Sequence, residues 1–354
     1  MKPEPTLTDY LARWLADVVR PNLEPATFAY YEAMVRLYIT PCLGSKRLDR
    51  LETHDVQDWL DTLPALCQCC IQGKDAARPA RKRRCCAVGN CCRYGTGRRT
   101  IEAARNTLRT ALSRAIASGE LTGRNVAGLA KLPSHARARH HLKDSTWSMD
   151  EASRFLTSAQ DDEDPLYAAY VLVLVNALHK GEVLGLTWPS IDLDRAEFNA
   201  SWQLQRVGAA LIHKERAKTN DAHGTLPLPD ISVTALKLRR AGQDAARELA
   251  ADHWQASDLV FTTRWGTPVE PRNFNRSFDT RCAKAGVPRI RVEGARQLCA
   301  PILADLAVHP SVAARIIRHA KIAGAARQLN QLRPGAESSA AQPASPPTPY
   351  TSEA

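Results

Sequence analysis

A continuous apolar stretch lies near the middle of the chain and leads into a glycine-containing segment. It runs from Ala168 to Val175 and is followed by Gly181-Glu-Val-Leu-Gly-Leu-Thr-Trp188. The stretch is well short of the roughly 18 apolar residues that a membrane-spanning helix needs. We therefore expect it to be buried in the core of a globular protein, without membrane association.

The length and charge of the chain suggest several domains and an anionic partner. The 354 residues are too many for one small core, and the formal net charge is +11. Nine Lys and Arg residues lie between Lys74 and Arg99, against the single acid Asp75. Such blocks suit contacts with phosphate groups, although one basic run alone is equally compatible with a solvated surface.

Composition along the chain predicts four regions. Residues 1–132 read as a helical domain with a cysteine-rich, basic insertion at about 64–97. Residues 133–146 lack apolar periodicity and read as a basic linker, and 147–332 form a second, mainly helical domain. The tail, 333–354, is rich in Ser, Pro, Ala and Thr, which predicts disorder.

Local signals place several helix ends. Pro25 is expected to open one helix and Thr53 to cap another, while Gly119 is expected to end a long helix with an apolar stripe from Ile101 to Ile116. In the second domain, Ser148 and Glu151 have the spacing of a capping box.

Other patterns in the second domain predict a helix and a strand pair. Asp164-Pro165 is expected to start the apolar helix, which would extend to Leu178. Apolar and polar residues alternate from Phe198 to Leu204, which indicates a strand, and Gly208 allows a hairpin. Helical patterns then return at about 231–250, 271–285, 295–306 and 310–318. The fold class is thus mainly α with a small antiparallel β-sheet.

Ten cysteines occur in a chain that shows no secretory signal, which favours the cytoplasm and thiols or metal ligands over disulfides. The spacings Cys67-x₂-Cys70 and Cys86-x₄-Cys91 could enclose a structural Zn²⁺, with Cys92 as an alternative to Cys91. Reduced thiols in a flexible insertion are the competing interpretation. The three cysteines outside this cluster of seven have apolar neighbours and are expected in the core: Cys42, Cys282 and Cys299.

Five motifs in order carry a resemblance to a known family. They comprise Gly181–Trp188 with Ile191-Asp-Leu-Asp194, Ala217-Lys-Thr219 leading to Thr225–Pro229, Leu259–Thr263 with Gly266-Thr-Pro268, Arg291–Gln297, and Ile317–Ile322. Together they resemble the tyrosine recombinase (phage integrase) family. The resemblance implies a helical core-binding domain joined to a mainly α catalytic domain, closing as a C-shaped clamp around duplex DNA.

The resemblance also implies a chemistry, metal-free transesterification of DNA through a 3′-phosphotyrosine, which needs no cofactor. Lys218 matches the lysine that protonates the leaving oxygen, Arg296 the second arginine and His319 the late His/Trp position. Taken alone, these would be an exposed strand-end lysine, a surface helix arginine and a capping or core histidine. The family's pattern favours phosphate contacts for all three.

Three catalytic positions depart from the family's pattern. His179 stands in the place of the first arginine, Glu293 replaces a frequent histidine, and Leu329 falls where the nucleophilic tyrosine is expected. Leucine has no nucleophilic atom, and a largely neutral imidazole cannot make the paired contacts of a guanidinium. The sequence therefore predicts a site-specific recombination or integration protein with impaired or lost catalysis.

Two other function classes remain open, a non-enzymatic DNA-binding regulator or inert mobile-element remnant, and a zinc-stabilised interaction module. The expected partners are double-stranded DNA and further copies of the chain assembled on it. The DNA-contacting residues predicted from the basic stretches are Arg81, Lys82, Arg83, Arg84, Arg98, Arg99, Arg137, Arg139 and Lys143.

Overall fold

The computed structural model describes residues 5–133, 146–215 and 225–320, with side chains up to residue 317 in the last range. The chain divides into two compact units. Of the described residues, 5–133 and the hairpin tip Arg206–Ile212 form the first unit, and 146–205, 213–215 and 225–320 form the second. Among the described residues, no helix is both long and apolar enough to cross a membrane.

The first unit is helical. Two of its helices contain π-helical turns, at Trp14–Val19 and Val35–Ile39. Its α-helices are α1 Leu7–Arg13, α2 Arg20–Asn22, α3 Pro25–Met34, α4 Thr40–Leu43, α5 Thr53–Thr62, α6 Gln68–Ile71, α7 Arg98–Ala117 and α8 Val126–Leu129.

An apolar core joins α1, α5 and α7. The stripe of α7 includes Ile101, Leu108 and Leu112, all fully buried. Two buried aromatic residues keep their polar atoms bonded, since the Tyr10 hydroxyl donates to the carbonyl oxygen of Ala111 at 2.6 Å and the Trp59 indole donates to that of Tyr38 at 3.0 Å. This satisfies the polar atoms that core packing removes from water.

Local signals located most of the first unit's helix ends. Pro25 opens α3, and α7 ends where Gly119 adopts a left-handed φ of 78°. The expected cap Thr53 is wrong by one residue, because Glu52 is the cap and its side chain pairs reciprocally with Asp55. Cys42 was expected in the core but is exposed.

The second unit contains eight α-helices and five strands in its described part. Its helices are α9 Met149–Asp161, α10 Tyr167–Leu174, α11 Lys180–Gly185, α12 Asp230–Ala250, α13 Pro271–Lys284, α14 Val292–Ala295, α15 Cys299–Asp305 and α16 Pro310–Ala320. Its strands are β1 Ile191–Asp192, β2 Glu197–Phe198, β3 Trp202–Val207, β4 Ala210–Glu215 and β5 Leu226–Pro227, except that the tip of the β3–β4 hairpin belongs to the first unit.

The strands form two small sheets. One is antiparallel with the order β1-β2-β5, in which Phe198 pairs with Ile191 on one side and Leu226 on the other. The other is the β3–β4 hairpin, which turns at Gly208 as predicted. The alternation from Phe198 to Leu204 does not form one strand, because β2 ends at Phe198 and β3 begins at Trp202.

An aromatic cluster lies at the centre of the second unit, where α9, α10 and α13 pack. Phe155, Tyr170 and Phe278 are buried, with ring centroids 5.0 Å apart for the Phe155–Phe278 pair. The predicted capping box of Ser148 and Glu151 starts α9. The apolar helix α10 is shorter than expected, since Leu166 is its cap and Leu174 its last residue. Cys282 and Cys299 are buried as expected.

Candidate active site and cysteine cluster

Arg296 lies inside the second unit, not on its surface. It starts the turn that follows α14, and only 8% of the residue is exposed. Its Nε donates a hydrogen bond to the carbonyl oxygen of Ala177 at 2.6 Å. Three residues on, the Cys299 thiol donates to the carbonyl oxygen of Val175 at 3.0 Å. Arg296 and Cys299 therefore hold the connection between α10 and α11.

This connection is constrained at two further points. Ala177 has a left-handed φ of 51°, a conformation that costs a non-glycine residue about 1–2 kcal/mol. The buried side chain of Asn176 donates to the carbonyl oxygen of Pro227 at 3.3 Å and accepts from the hydroxyl of Ser232 at 2.7 Å. These bonds and that of Arg296 offset the strain and fix the backbone that leads to His179.

His179 caps α11 at the place where the family resemblance expects an arginine. Its backbone N–H donates to a carboxylate oxygen of Glu182 at 2.8 Å, and the two residues form a capping box. His179 is exposed, whereas Glu182 is buried. The sequence indicated the departure at His179 but not the role of Glu182, for which the capping-box spacing was an available signal.

Burial and two carboxylates act on the pKa of Arg296 in opposite directions. Burial lowers the pKa of its guanidinium, while the negative charges of Glu182 and Glu293 act in the opposite direction. Glu293 is exposed one turn before Arg296. Of these two carboxylates, only Glu293 stands at a position where the family resemblance expects another residue, a histidine.

The close approach of α11 to β3 requires a glycine. A Cβ atom on Gly185 would lie 2.5 Å from the Cα of Gln203. On the same side, Nε2 of His213 lies 2.9 Å from the carbonyl oxygen of Gly185, and its ring stacks on Trp202 at 4.7 Å between centroids. The hairpin is therefore attached to the helix that His179 caps, a contact that the sequence did not reveal.

Several predicted site residues lie outside the described part of the chain. These are Lys218, Leu329, Arg137, Arg139 and Lys143. His319 belongs to α16, whose backbone is described at that position. The other predicted basic residues, Arg81–Arg84, Arg98 and Arg99, are all exposed. They lie on the insertion and at the start of α7 in the first unit.

The insertion brings its cysteines together. Two groups of four have sulfur atoms that all lie within 4.8 Å of one another: Cys67, Cys69, Cys85 and Cys92, and Cys67, Cys70, Cys85 and Cys91. Four thiolates at such distances can hold a metal ion. Of the predicted ligands, Cys67, Cys70 and Cys91 belong to the second group, but Cys86 belongs to neither.

A buried aspartate explains why Cys85 and not Cys86 joins the cluster. Asp75 is fully buried, and its carboxylate accepts backbone N–H bonds from Cys85 at 2.9 Å and Arg84 at 3.0 Å. It also pairs with Arg78 at 2.9 Å. These bonds fix the turn so that Cys85 is fully buried while Cys86 is exposed.

Thiolate formation is favoured at Cys67. Burial acts to raise the pKa of this thiol, but hydrogen bonds from the Cys70 backbone and from the neighbouring thiols outweigh it and lower the pKa to about 6. The pKa of Cys85 is also lowered, chiefly because the Cys92 N–H donates to its sulfur. Metal ions bind the thiolate form, so these two cysteines are chemically suited to a thiophilic cation.

Comparison with known proteins gives both sequence and fold similarity. Residues 6–63 match the family described as "Phage integrase, N-terminal SAM-like domain". The chain is 24% identical over 335 residues to a "Tyrosine recombinase XerC-like" protein of Caldanaerobacter subterraneus, covering 90% of this chain and 77% of that protein. It is 25% identical to an integrase of Streptomyces ambofaciens, of which it spans 60%.

Solved structures share the fold over nearly the whole chain. The Tn1549 transposon integrase, in complex with transposon right end DNA, has a TM-score of 0.64 at 17% identity, covering 94% of this chain and 96% of that one. A lambda integrase dimer bound to a core site has a TM-score of 0.53, covering 92% of this chain and 77% of that one. The chain is thus similar in sequence to tyrosine recombinases and integrases, and it shares the fold of the solved integrases.

Proposed function

We propose that the protein binds duplex DNA as a tyrosine recombinase does, and that its strand-cleaving activity is impaired or lost. The observation that carries the proposal is the environment of Arg296, which bonds to the Ala177 carbonyl oxygen beside a segment ending in His179. Where the family resemblance expects two arginines around a phosphate, this chain offers one buried arginine under the influence of Glu182 and Glu293.

DNA binding is supported by fold and charge together. The similar integrases were solved on DNA, including a lambda integrase tetramer on a Holliday junction. In this chain, Arg81–Arg84, Arg98 and Arg99 are exposed, and the formal net charge is +11. Phosphate contacts from such residues supply sequence-independent affinity. By the same analogy, copies of the chain assemble on their DNA site.

Impaired chemistry follows from the residues at three positions. Loss of a phosphate-neutralising arginine costs about 10³–10⁵ in rate in comparable phosphoryl-transfer enzymes. Leu329 removes the covalent route, because no nucleophilic atom stands where the family has tyrosine. A regulator that occupies a recombination site without cutting it, or an inert remnant of a mobile element, has the same properties.

The cysteine cluster supports a second role for the insertion. We propose that it binds structural Zn²⁺. The available ligands are cysteine sulfur atoms, which Zn²⁺ binds as thiolates, and Zn²⁺ is not redox-active. The ion would tie down the loop that carries Arg81–Arg84, and so contribute to DNA binding indirectly. A pure interaction module would instead use the zinc-stabilised loop without any DNA contact.

Selection from a pool of random duplex DNA distinguishes a DNA-binding protein from an interaction module that makes no contact with DNA. The full chain is incubated with the pool, bound duplexes are recovered, and the cycle is repeated. We expect enrichment of a discrete site, because the fold is that of site-specific DNA-binding proteins. Recovery at the level of a protein-free control would contradict DNA binding and leave the interaction module as the better account.

A further inference from the structure

The two groups of cysteines share two members. Cys67 and Cys85 belong to both groups, Cys69 and Cys92 complete the first, and Cys70 and Cys91 complete the second. Each group alone has the four sulfur ligands of a tetrahedral zinc site. We propose that the six cysteines hold two Zn²⁺ ions in one binuclear cluster, in which the thiolates of Cys67 and Cys85 bridge the metals. The inference rests on the proposed structural zinc and extends it.

The sulfur spacing fits two tetrahedra that share an edge. Zinc–sulfur bonds of about 2.3 Å give a tetrahedral edge of about 3.8 Å. The shared edge, from Cys67 Sγ to Cys85 Sγ, measures 3.4 Å. One edge of each tetrahedron is close to it in length, 3.5 Å from Cys67 to Cys92 in the first group and 3.6 Å from Cys70 to Cys85 in the second.

Adjacent cysteines divide between the two groups. Cys69 and Cys70 are neighbours in α6, and Cys91 and Cys92 are neighbours in the loop, yet each pair contributes one member to each group. Consecutive side chains point in different directions, so each pair supplies one ligand to each metal without backbone distortion. A single ion would use one residue of each pair and leave two thiols unused beside it.

The surrounding charge suits a binuclear cluster. Six thiolates and two Zn²⁺ ions carry a net charge of about −2, by counting −6 and +4. Lys74, Arg78 and Arg84 line the same cavity as Cys69 and Cys92. Arg78 is itself oriented by the buried carboxylate of Asp75. These basic side chains can therefore offset the residual charge of the cluster.

Metal stoichiometry tests the inference on the full chain purified without chelators. Elemental analysis and native mass spectrometry should give two zinc ions per chain. One zinc per chain would overturn the bridged cluster but keep the structural zinc proposed above. No zinc would overturn both, and iron in its place would show that the metal is wrong.

Thiol labelling under native conditions identifies the ligands. The exposed cysteines are Cys42, Cys70, Cys86, Cys91 and Cys92. With two ions bound, an alkylating reagent should modify only Cys42 and Cys86, and removal of metal should expose the other three. Rapid labelling of Cys92 alone among those three, or of Cys70 and Cys91 together, would indicate a single ion in one group and contradict the bridged arrangement.

Substitutions provide a matched comparison. Cys85→Ser removes a bridging ligand and should release both ions, whereas Cys86→Ser changes the neighbouring exposed cysteine and should retain two. Loss of zinc from the Cys86→Ser protein would overturn the assignment of ligands. The number of zinc ions bound by the unmodified chain tests the inference by itself. The test therefore does not depend on whether the Cys85→Ser protein folds.

Discussion

Among individual side chains, Arg296 has the clearest structural role. Its guanidinium is buried and supplies a donor to the carbonyl oxygen of Ala177, which is also buried. The backbone at Ala177 is left-handed, so its position depends on contacts from elsewhere in the fold. In this chain Arg296 therefore stabilises the backbone segment that leads from α10 to His179. This role is separate from any contact that it makes with a phosphate.

Replacing Arg296 should measurably destabilise the protein. We expect Arg296→Ala to lower the free energy of unfolding by about 1–3 kcal/mol, because a buried carbonyl oxygen loses its donor. Urea denaturation followed by circular dichroism measures the change. The matched control is Arg272→Ala, which removes an exposed arginine in α13 and should change stability by less than about 0.5 kcal/mol. Equal effects of the two substitutions would contradict the structural role.

Among the helices and strands, α11 and the hairpin approach each other closely at Gly185. We expect Gly185→Ala to cost about 1–3 kcal/mol, since its Cβ would lie 2.5 Å from a backbone atom of Gln203. Gly242→Ala is the control, because its Cβ meets no atom within 4 Å. In the middle of α12 that change should stabilise by up to about 1 kcal/mol. Urea midpoints that move in the same direction would be inconsistent with this packing.

Ion pairs between α13 and the residues that follow α9 predict that the stability of the fold depends on pH. Arg281 is 5% exposed and donates to Asp162 at 2.8 Å and to Asp164 at 2.7 Å. Hydrogen bonds from Lys284 and then Arg281 lower the pKa of Asp162. The carboxylate therefore stabilises the fold above its unfolded pKa of about 3.9, and this contribution is lost as the pH falls toward the lower folded value.

The difference between Asp162→Asn and the unmodified chain should follow that dependence. Stability measured in urea should show a deficit for the variant at pH 6 that shrinks at pH 3.5. Asp161→Asn is the control, because Asp161 is the exposed last residue of α9 and immediately precedes Asp162. A deficit of constant size across this range would mean that Asp162 does not act through its charge.

Local sequence signals predicted most helix ends and the hairpin turn, but they did not predict where α10 ends. The capping box at Ser148, the end of α7 at Gly119 and the hairpin at Gly208 depend on neighbours in sequence. The end of α10 at Leu174 depends instead on bonds from Cys299 and Arg296, more than a hundred residues away. No local pattern contains that information.

The candidate sites show the same division. Motif spacing singled out Arg296, His179 and Glu293 as candidates, but it could not show that Arg296 is buried or that Glu182 lies near enough to raise its pKa. Spacing also favoured Cys86 over Cys85. The choice between these adjacent cysteines is made by the buried carboxylate of Asp75, ten residues earlier.

For the complete chain, charge predicts how affinity for DNA depends on salt. Substituting Arg81, Lys82 and Arg98 together by alanine should weaken binding and reduce the slope of log affinity against log salt by about 2.7, at about 0.9 for each lost phosphate contact. Fluorescence anisotropy with a duplex oligonucleotide measures the slope.

The control variant loses the same number of positive charges, but from arginines that form ion pairs with carboxylates. Arg13, Arg36 and Arg154 each lie within 3.0 Å of a carboxylate oxygen. Substituting these three by alanine should change the salt slope much less. Equal slopes for the two triple variants would show that the basic insertion makes no dedicated contact with DNA.

The central proposal is that this chain has the fold of tyrosine recombinases while its strand-cleaving activity is impaired or lost, and covalent trapping tests it directly. A nicked suicide duplex carrying the selected site is incubated with the protein, and denaturing gels reveal any protein–DNA adduct. We expect none from the unmodified chain and little from Leu329→Tyr alone, because groups that act on one transition state are strongly non-additive. The combination of Leu329→Tyr, His179→Arg and Glu293→His should form an adduct. An adduct from the unmodified chain, with Tyr350 the first residue to examine, would contradict the account.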